Sequence, residues 1–268
     1  CVDYEMAEDP EFRDLTVIED EGEPYARYFK IPRSNQDLLK RSKLIEASTA
    51  RGKTLVPLVK EIGSDALFGL HRISREVDRA HQTSYRSRVE AFYQHCRDND
   101  LTMSVAQTDA KGDRSAGPRG QSHPDYYVRI VDRRDDGIVV RGAKNHTSCA
   151  TNVNEIIVLP TRAMAEEDAD YAVAFALPPD TPGLKLVASP YGASSKDDFE
   201  APLSSSRKMM ETTTIFDDVF VPNDRIFLAG EYEFAAPLAL GFVEYHRFTA
   251  VSYKLPLVDA LVGSGQLM

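Results

Sequence analysis

QTDAKGDRS (Gln107–Ser115) and GAKNHTSCATN (Gly142–Asn152) bracket PDYYVRIVDRRDDGIVVRGAK, and residues 107–152 decide how the chain is read. The middle piece predicts two strands joined by a tight turn. Tyr127, Ile130 and Val131 form one apolar cluster, Ile138, Val139 and Val140 the other, with Asp135-Asp136-Gly137 at the bend. Aspartate followed by glycine between β-prone runs is a strong hairpin signal. Each end of the hairpin carries a polar, glycine-containing segment, the kind of loop in which a rigid sheet offers hydrogen-bonding groups to a ligand. A phosphate-bearing or heteroaromatic cofactor suits such loops. On composition alone, Asp109, Lys111, Asp113 and Arg114 read more simply as a solvated turn.

Outside this stretch the composition excludes several classes. The 268 residues are 42% hydrophobic and 28% charged, ordinary for a globular protein with one large domain or two small ones. A net charge of −10 argues against nucleic acid as a partner. The sequence holds no run of 18 apolar residues, so no membrane partner is expected, and the opening CVDYEMAEDPEF lacks a basic leader. Cys1, Cys96 and Cys149 are odd in number and far apart, which suits reduced thiols in a cytoplasmic protein.

Along the chain, DPEFRDL predicts a short helix with Asp9 as N-cap and Pro10 at its first position. Residues 34–50 predict a helix capped by Ser34, with Leu38, Leu39, Ser42 and Ile45 on one face. Residues 54–70 and 74–97 predict two more helices. Beyond Asp98-Asn99-Asp100 the pattern changes to β-branched runs such as IIVLP, YAVAFALP and TTTIFDDVFVP. The closing stretch from Glu231 turns helical again. The expected order is therefore α, β, α, divided at 1–98, 99–228 and 229–268, without repeats.

TDAKGDRS, RIVDRRDDGIVVRGAKNH, NEIIVLPTRAM, DYAVAFALP, VFVPNDRIFL and EYHR occur in this order. Together they resemble a family of acyl-CoA dehydrogenase architecture. That family holds FAD-dependent aromatic hydroxylases of the 4-hydroxyphenylacetate 3-monooxygenase type and the 4-hydroxybutyryl-CoA dehydratases. The resemblance implies an α+β fold: an N-terminal helical domain, a middle antiparallel β-barrel domain that binds flavin, and the start of a C-terminal helical bundle. It also implies that the sequence is a fragment, and that the full-length protein is a homotetramer.

The resemblance further implies that Gln107, Thr108, Asp109, Lys111, Asp113 and Arg114 wrap the flavin and ribityl region of FAD. His146, Thr147 and Ser148 would lie where relatives offer a hydroxyl near flavin N5, with Ser148 first and Thr147 its rival. His246 matches a histidine that in the dehydratases ligates the cluster and acts on a substrate proton; here it would be a possible base, since an imidazole titrates near neutrality, although a lone helical histidine is more often structural. Glu211 matches a family glutamate near the active site and reads equally as a strand-edge carboxylate facing water. Lys254 matches a position beside the dehydratase cluster.

Departures from the pattern bear on function. Two of the three cysteines that hold the dehydratase [4Fe–4S] cluster would fall at Pro57 and Glu61, the third at Tyr253, and Ala250 replaces an active-site tyrosine. No metal is therefore expected. The phenol-binding Arg and Tyr of the hydroxylases would fall near Pro57 and Glu61, their His near Val105, and all three are absent. The expected function is an FAD-dependent oxidoreductase, a monooxygenase on an aromatic or acyl small-molecule substrate, with a separate flavin reductase as a candidate partner. The alternatives are a 4-hydroxybutyryl-CoA dehydratase-like lyase and a non-catalytic relative.

Overall fold

The structure is a computed structural model of the chain and describes every residue except 1, 20–21, 54–55, 57, 190–196, 198 and 202–208. Cys1 and Pro57 thus lie outside the described residues. Helices α1 (Val2–Glu8) and α2 (Arg13–Thr16) lead into a ribbon of β1 (Val17–Ile18) and β2 (Tyr25–Ala26). Three longer helices follow: α3 (Asn35–Arg51), α4 (Leu58–His81) and α5 (Tyr85–Asp98). Next come β3 (Met103–Ala106), β4 (Arg129–Arg134), β5 (Gly137–Ser148), β6 (Glu155–Val158), β7 (Val173–Leu177), β8 (Leu184–Ser189), β9 (Glu211–Pro222) and β10 (Ile226–Ala229). Helix α6 (Ala235–Leu267) closes the chain. The expected helix–strand–helix order holds.

Local chemistry explains where the elements begin and end. Ser34 caps α3, its Oγ accepting from Asp37 N at 3.2 Å while Asp37 takes the backbone N–H of Arg33 at 2.9 Å. The buried stripe of α3 is Arg41, Leu44, Ile45 and Ser48, whereas Leu39 is 53% exposed, so the helix is rotated from the expected face. The helix expected from Asp9 is instead split. Asp9 follows α1, accepts from Glu11 N at 3.0 Å, and only one turn forms from Arg13. The break expected near residue 72 falls at Gln82–Ser84. There the Asp78 carboxylate accepts the N–H groups of Tyr85 (2.8 Å) and Arg86 (2.9 Å), capping α5 from the preceding helix.

The strands form two open four-stranded sheets, β10-β7-β6-β3 and β4-β5-β9-β8, rather than the closed antiparallel barrel expected. One pair, β3 with β6, is parallel. The reason lies in what covers each face. Every residue of β3, β6 and β7 is buried, as strands are when both faces are packed. One face meets the helices: a Cβ at Gly63 of α4 would stand 2.4 Å from Met103 Cβ, so glycine alone permits that approach. The other meets the second sheet, with Phe175 edge-on to Phe216 at 5.7 Å. The sheets thus stack as layers, and neither needs to close on itself.

Helix α6 packs on α3 and α4, and no described helix is long and apolar enough to cross a membrane. Between these helices lies a buried polar group that no described residue pairs. Glu61 is 0% exposed and neither of its carboxyl oxygens has a hydrogen-bond partner. Burial pushes its pKa up to about 8, Asp65 adding to the rise and Arg41 opposing it. The ordinary value is 4.5, so between there and about 8 the folded state holds a proton that the unfolded chain has released. The associated stability is full below the lower value and is lost as pH rises through the upper one. Glu61→Gln removes this slope. The variant should gain stability relative to the parent by on the order of a few kcal/mol between about pH 5 and 8, and the difference should stay flat above that. Urea unfolding across pH checks this, and a pH-independent difference would contradict it.

Candidate functional site

The hairpin forms as expected. β4 and β5 pair antiparallel around Asp135-Asp136, with Arg134 opposite Gly137. At its far end β5 runs beside β9 and carries a bulge: Lys144 pairs with Thr214 but Thr147 with Thr212, so β5 holds one extra residue. His146 sits in that bulge with φ 56° and is exposed.

The bulge fixes which hydroxyl faces where. Thr147 is fully buried, its Oγ1 accepting from Thr214 at 3.0 Å and its carbonyl from Thr212 at 3.1 Å. Ser148 points to the opposite side, is half-buried, and donates to Glu211 Oε1 at 2.6 Å. Glu211 Oε2 is buried without a partner. Of the two rival hydroxyls, Ser148 alone has an accessible side, and it is joined to the other candidate from this sheet, Glu211.

The loop Gln107–Ser115 is tied to the same strand by a buried ion pair. Lys144 Nζ lies 2.7 Å from Asp109 Oδ1 and donates to the carbonyls of Gln107 and Leu159, each at 2.9 Å. Burial pushes the Lys144 ammonium down, and the Asp109 charge opposes the fall. Asp109 also accepts from Val128 N at 3.3 Å and from the Thr161 hydroxyl. Asn145 N donates to Thr108 O at 2.7 Å. The Asp109 side chain is therefore an internal strut and not part of a solvated turn. Beyond it the loop turns outward through Lys111 and Gly112, both at φ 70°. A Cβ on Gly112 would meet Gln121 Oε1 at 2.6 Å and the Tyr126 ring at 2.7 Å. Asp113 and Arg114 are exposed; Asp113 takes the N–H (2.8 Å) and hydroxyl (2.7 Å) of Ser115, which holds its carboxyl below the usual range.

His246 belongs to a different neighbourhood, on α6 against α3 and α4. Its ring stacks on Phe242 at 5.4 Å and its Nδ1 lies 3.6 Å from Asp65 Oδ2. Asp65 Oδ1 is paired with Arg41 at 2.7 Å and accepts from Thr249 at 2.9 Å. Tyr253 is partly buried nearby, its hydroxyl pushed up by burial and by Glu61 and Asp65, while Lys254 is exposed. No hydrogen bond or ion pair among the described residues joins His246 to Ser148 or Glu211. Sequence reading missed Lys144, Thr161, Arg41 and Asp65. For Lys144 and Asp65 the available signal was a charged residue set among small or apolar neighbours, as in RGAKN and SDALF.

Comparison with known proteins places these features in context. The sequence profile of the 4-hydroxyphenylacetate 3-hydroxylase N-terminal region matches residues 2–228. The 4-hydroxybutyryl-CoA dehydratase/vinylacetyl-CoA-Delta-isomerase of Clostridium aminobutyricum is 37% identical over 98% of this chain and 55% of its own length. The oxygenase component of 4-hydroxyphenylacetate 3-monooxygenase from Thermus thermophilus is 29% identical over 99% of this chain and 54% of its own. The chain thus spans about half the length of these relatives. Among solved structures, an oxygen-tolerant archaeal 4-hydroxybutyryl-CoA dehydratase from N. maritimus superposes with TM-score 0.88 at 32% identity, over 97% of this chain and 52% of that one. An HpaB oxygenase component complexed with FAD gives 0.83 at 27%, over 99% and 55%. Glutaryl-coenzyme A dehydrogenase, at 15% identity and TM-score 0.55 over 87% and 51%, shares the fold.

The Lys144–Asp109 pair yields a direct test. Lys144→Met leaves the Asp109 carboxylate buried opposite an apolar side chain and should cost about 3–5 kcal/mol in chemical denaturation. Pairing it with Asp109→Leu should recover most of that loss, because the unpaired charge is then gone. Equal losses in the single and double variants would contradict the strut.

Proposed function

The chain belongs to the 4-hydroxyphenylacetate 3-hydroxylase N-terminal family, and from that premise we propose that it is the flavin-holding part of an FAD-dependent monooxygenase. Its substrate is an aromatic or acyl small molecule, and a separate reductase supplies the reduced flavin. One arrangement carries this reading: Ser148 and Glu211 joined at 2.6 Å at the end of the hairpin, beside the loop strapped down by Lys144.

These residues fit a flavin. Glu211 Oε2 is a buried acceptor with no partner, a group that a ligand N–H would satisfy. Ser148 directs its hydrogen at Glu211, which turns its lone pairs outward. Towards a bound flavin it therefore acts as an acceptor. When bound, FAD supplies the oxygen-activating redox chemistry. Gln107–Arg114 and Ser148 bind and orient it, and Glu211 holds the serine rotamer.

The dehydratase reading is favoured by 37% identity to a dehydratase, but its cluster does not fit the residues present. Glu61 is a buried carboxyl held largely protonated near neutral pH, and Tyr253 is a phenol pushed up from its ordinary value. Both are oxygen donors where soft thiolates are needed.

Purified anaerobically, the full-length protein should contain flavin without stoichiometric iron or acid-labile sulfide, and should fail to convert 4-hydroxybutyryl-CoA. Supplied with reduced FAD and oxygen, it should hydroxylate an aromatic or acyl small molecule, with 4-hydroxyphenylacetate itself a poor substrate because the residues that grip it in the hydroxylases are absent. In the same protein Ser148→Ala should weaken FAD binding by about 1 kcal/mol, roughly fivefold in Kd. About four irons per subunit would restore the dehydratase reading, and absence of flavin would leave a non-catalytic relative.

A further inference from the structure

We propose that Asp65 is the positioning residue for His246, holding its imidazole as the Nδ1–H tautomer and leaving Nε2 free to take a proton; this rests on the reading of His246 as a base. The argument begins with two orphans. His246 Nδ1 and Asp65 Oδ2 are both buried, neither has a hydrogen-bond partner, and they face each other at 3.6 Å. Two acceptors left facing each other in a buried place would both be unsatisfied, whereas one hydrogen on Nδ1 satisfies both.

The carboxylate has little freedom to turn away. Asp65 is 0% exposed, and its Oδ1 is held by the Arg41 guanidinium at 2.7 Å and the Thr249 hydroxyl at 2.9 Å. Arg41 is itself anchored by donating to Tyr28 O at 2.9 Å and Ser64 Oγ at 2.9 Å. The histidine is equally constrained, its ring lying 9° from parallel with that of Phe242, one helical turn earlier. Thr249 follows His246 on the same helix, so α6 presents both side chains to one carboxylate. The His246 side chain is 28% exposed while its Nδ1 is buried, so the exposure falls on the rest of the ring, which carries Nε2. A base oriented by a third group in this way is the general arrangement for activating an imidazole.

The tautomer can be read without any activity. ¹⁵N-histidine-labelled protein gives signals for six histidines, and His246 is assigned as the signal lost in His246→Gln. The expected result at pH 8 is a protonated Nδ1 and an unprotonated Nε2, shifting towards the Nε2–H form in Asp65→Asn. An Nε2–H tautomer or a doubly protonated ring in the unaltered protein overturns the proposal, and that measurement decides even if the variant does not fold. Turnover of the best substrate from a panel of phenols and acyl-CoA thioesters by the full-length protein with reduced FAD separates positioning from mere packing. Asp65→Asn should lower kcat by on the order of 10²-fold with KM nearly unchanged, and should add nothing in the His246→Gln background. Additive losses in the double variant overturn the proposal. Absence of turnover in the unaltered protein counts against the base reading alone, and the tautomer then settles the part of Asp65.

Discussion

The buried pair of Lys144 and Asp109 is the constraint on which the sheet-borne site depends. An ammonium that is 3% exposed is costly to bury. The cost is offset because the nitrogen meets three acceptors, one on Asp109 and the carbonyls of Gln107 and Leu159. Those acceptors come from the polar loop and from the strand exit after β6, and the lysine comes from β5. One side chain therefore fixes the loop, the hairpin and the neighbouring sheet relative to one another. The outward-facing part of the loop, from Lys111 to Arg114, can be polar and exposed because its root is held from inside.

A second buried polar assembly lies among the helices and follows another logic. Arg41 and Asp65 neutralise each other and bring α3, α4 and α6 together through Tyr28, Ser64 and Thr249. Glu61, one turn before Asp65, gains no partner and has to bind a proton instead. Well-packed apolar residues would serve stability at least as well as such charges. Groups that a stable core does not need are where function is sought, and His246 borders this cluster.

The two assemblies divide the chemistry between layers. The hairpin end offers Ser148 and Glu211, short polar groups suited to orienting a heteroaromatic ring. The helices offer an imidazole with a carboxylate behind it. Beside the imidazole the helices also hold Glu61 and Tyr253, both oxygen donors. The two layers thus differ in chemistry: hydroxyl and carboxylate at the hairpin end, imidazole, carboxylate and guanidinium among the helices.

What the sequence determined by itself was local and periodic. The hairpin around Asp135-Asp136, the Ser34 cap, the helix–strand–helix order and the polar segments at residues 107–115 and 142–152 all follow from residue spacing and turn chemistry. Contacts between distant segments decided the rest. The β-branched runs predict strands, but whether they close into a barrel or stack as layers depends on what covers each face, and α4 and the second sheet cover both faces of β3, β6 and β7. Thr147 and Ser148 face opposite sides of β5, and which of them is buried is set by the bulge at His146, which pairing with β9 imposes. Asp109 reads as a turn residue until Lys144, 35 positions later, is brought against it. Asp65 and His246 are 181 residues apart. A buried charge is legible as unusual from its own neighbours, but its partner is chosen by the packing of the whole chain, because only there does the cost of leaving it unpaired arise.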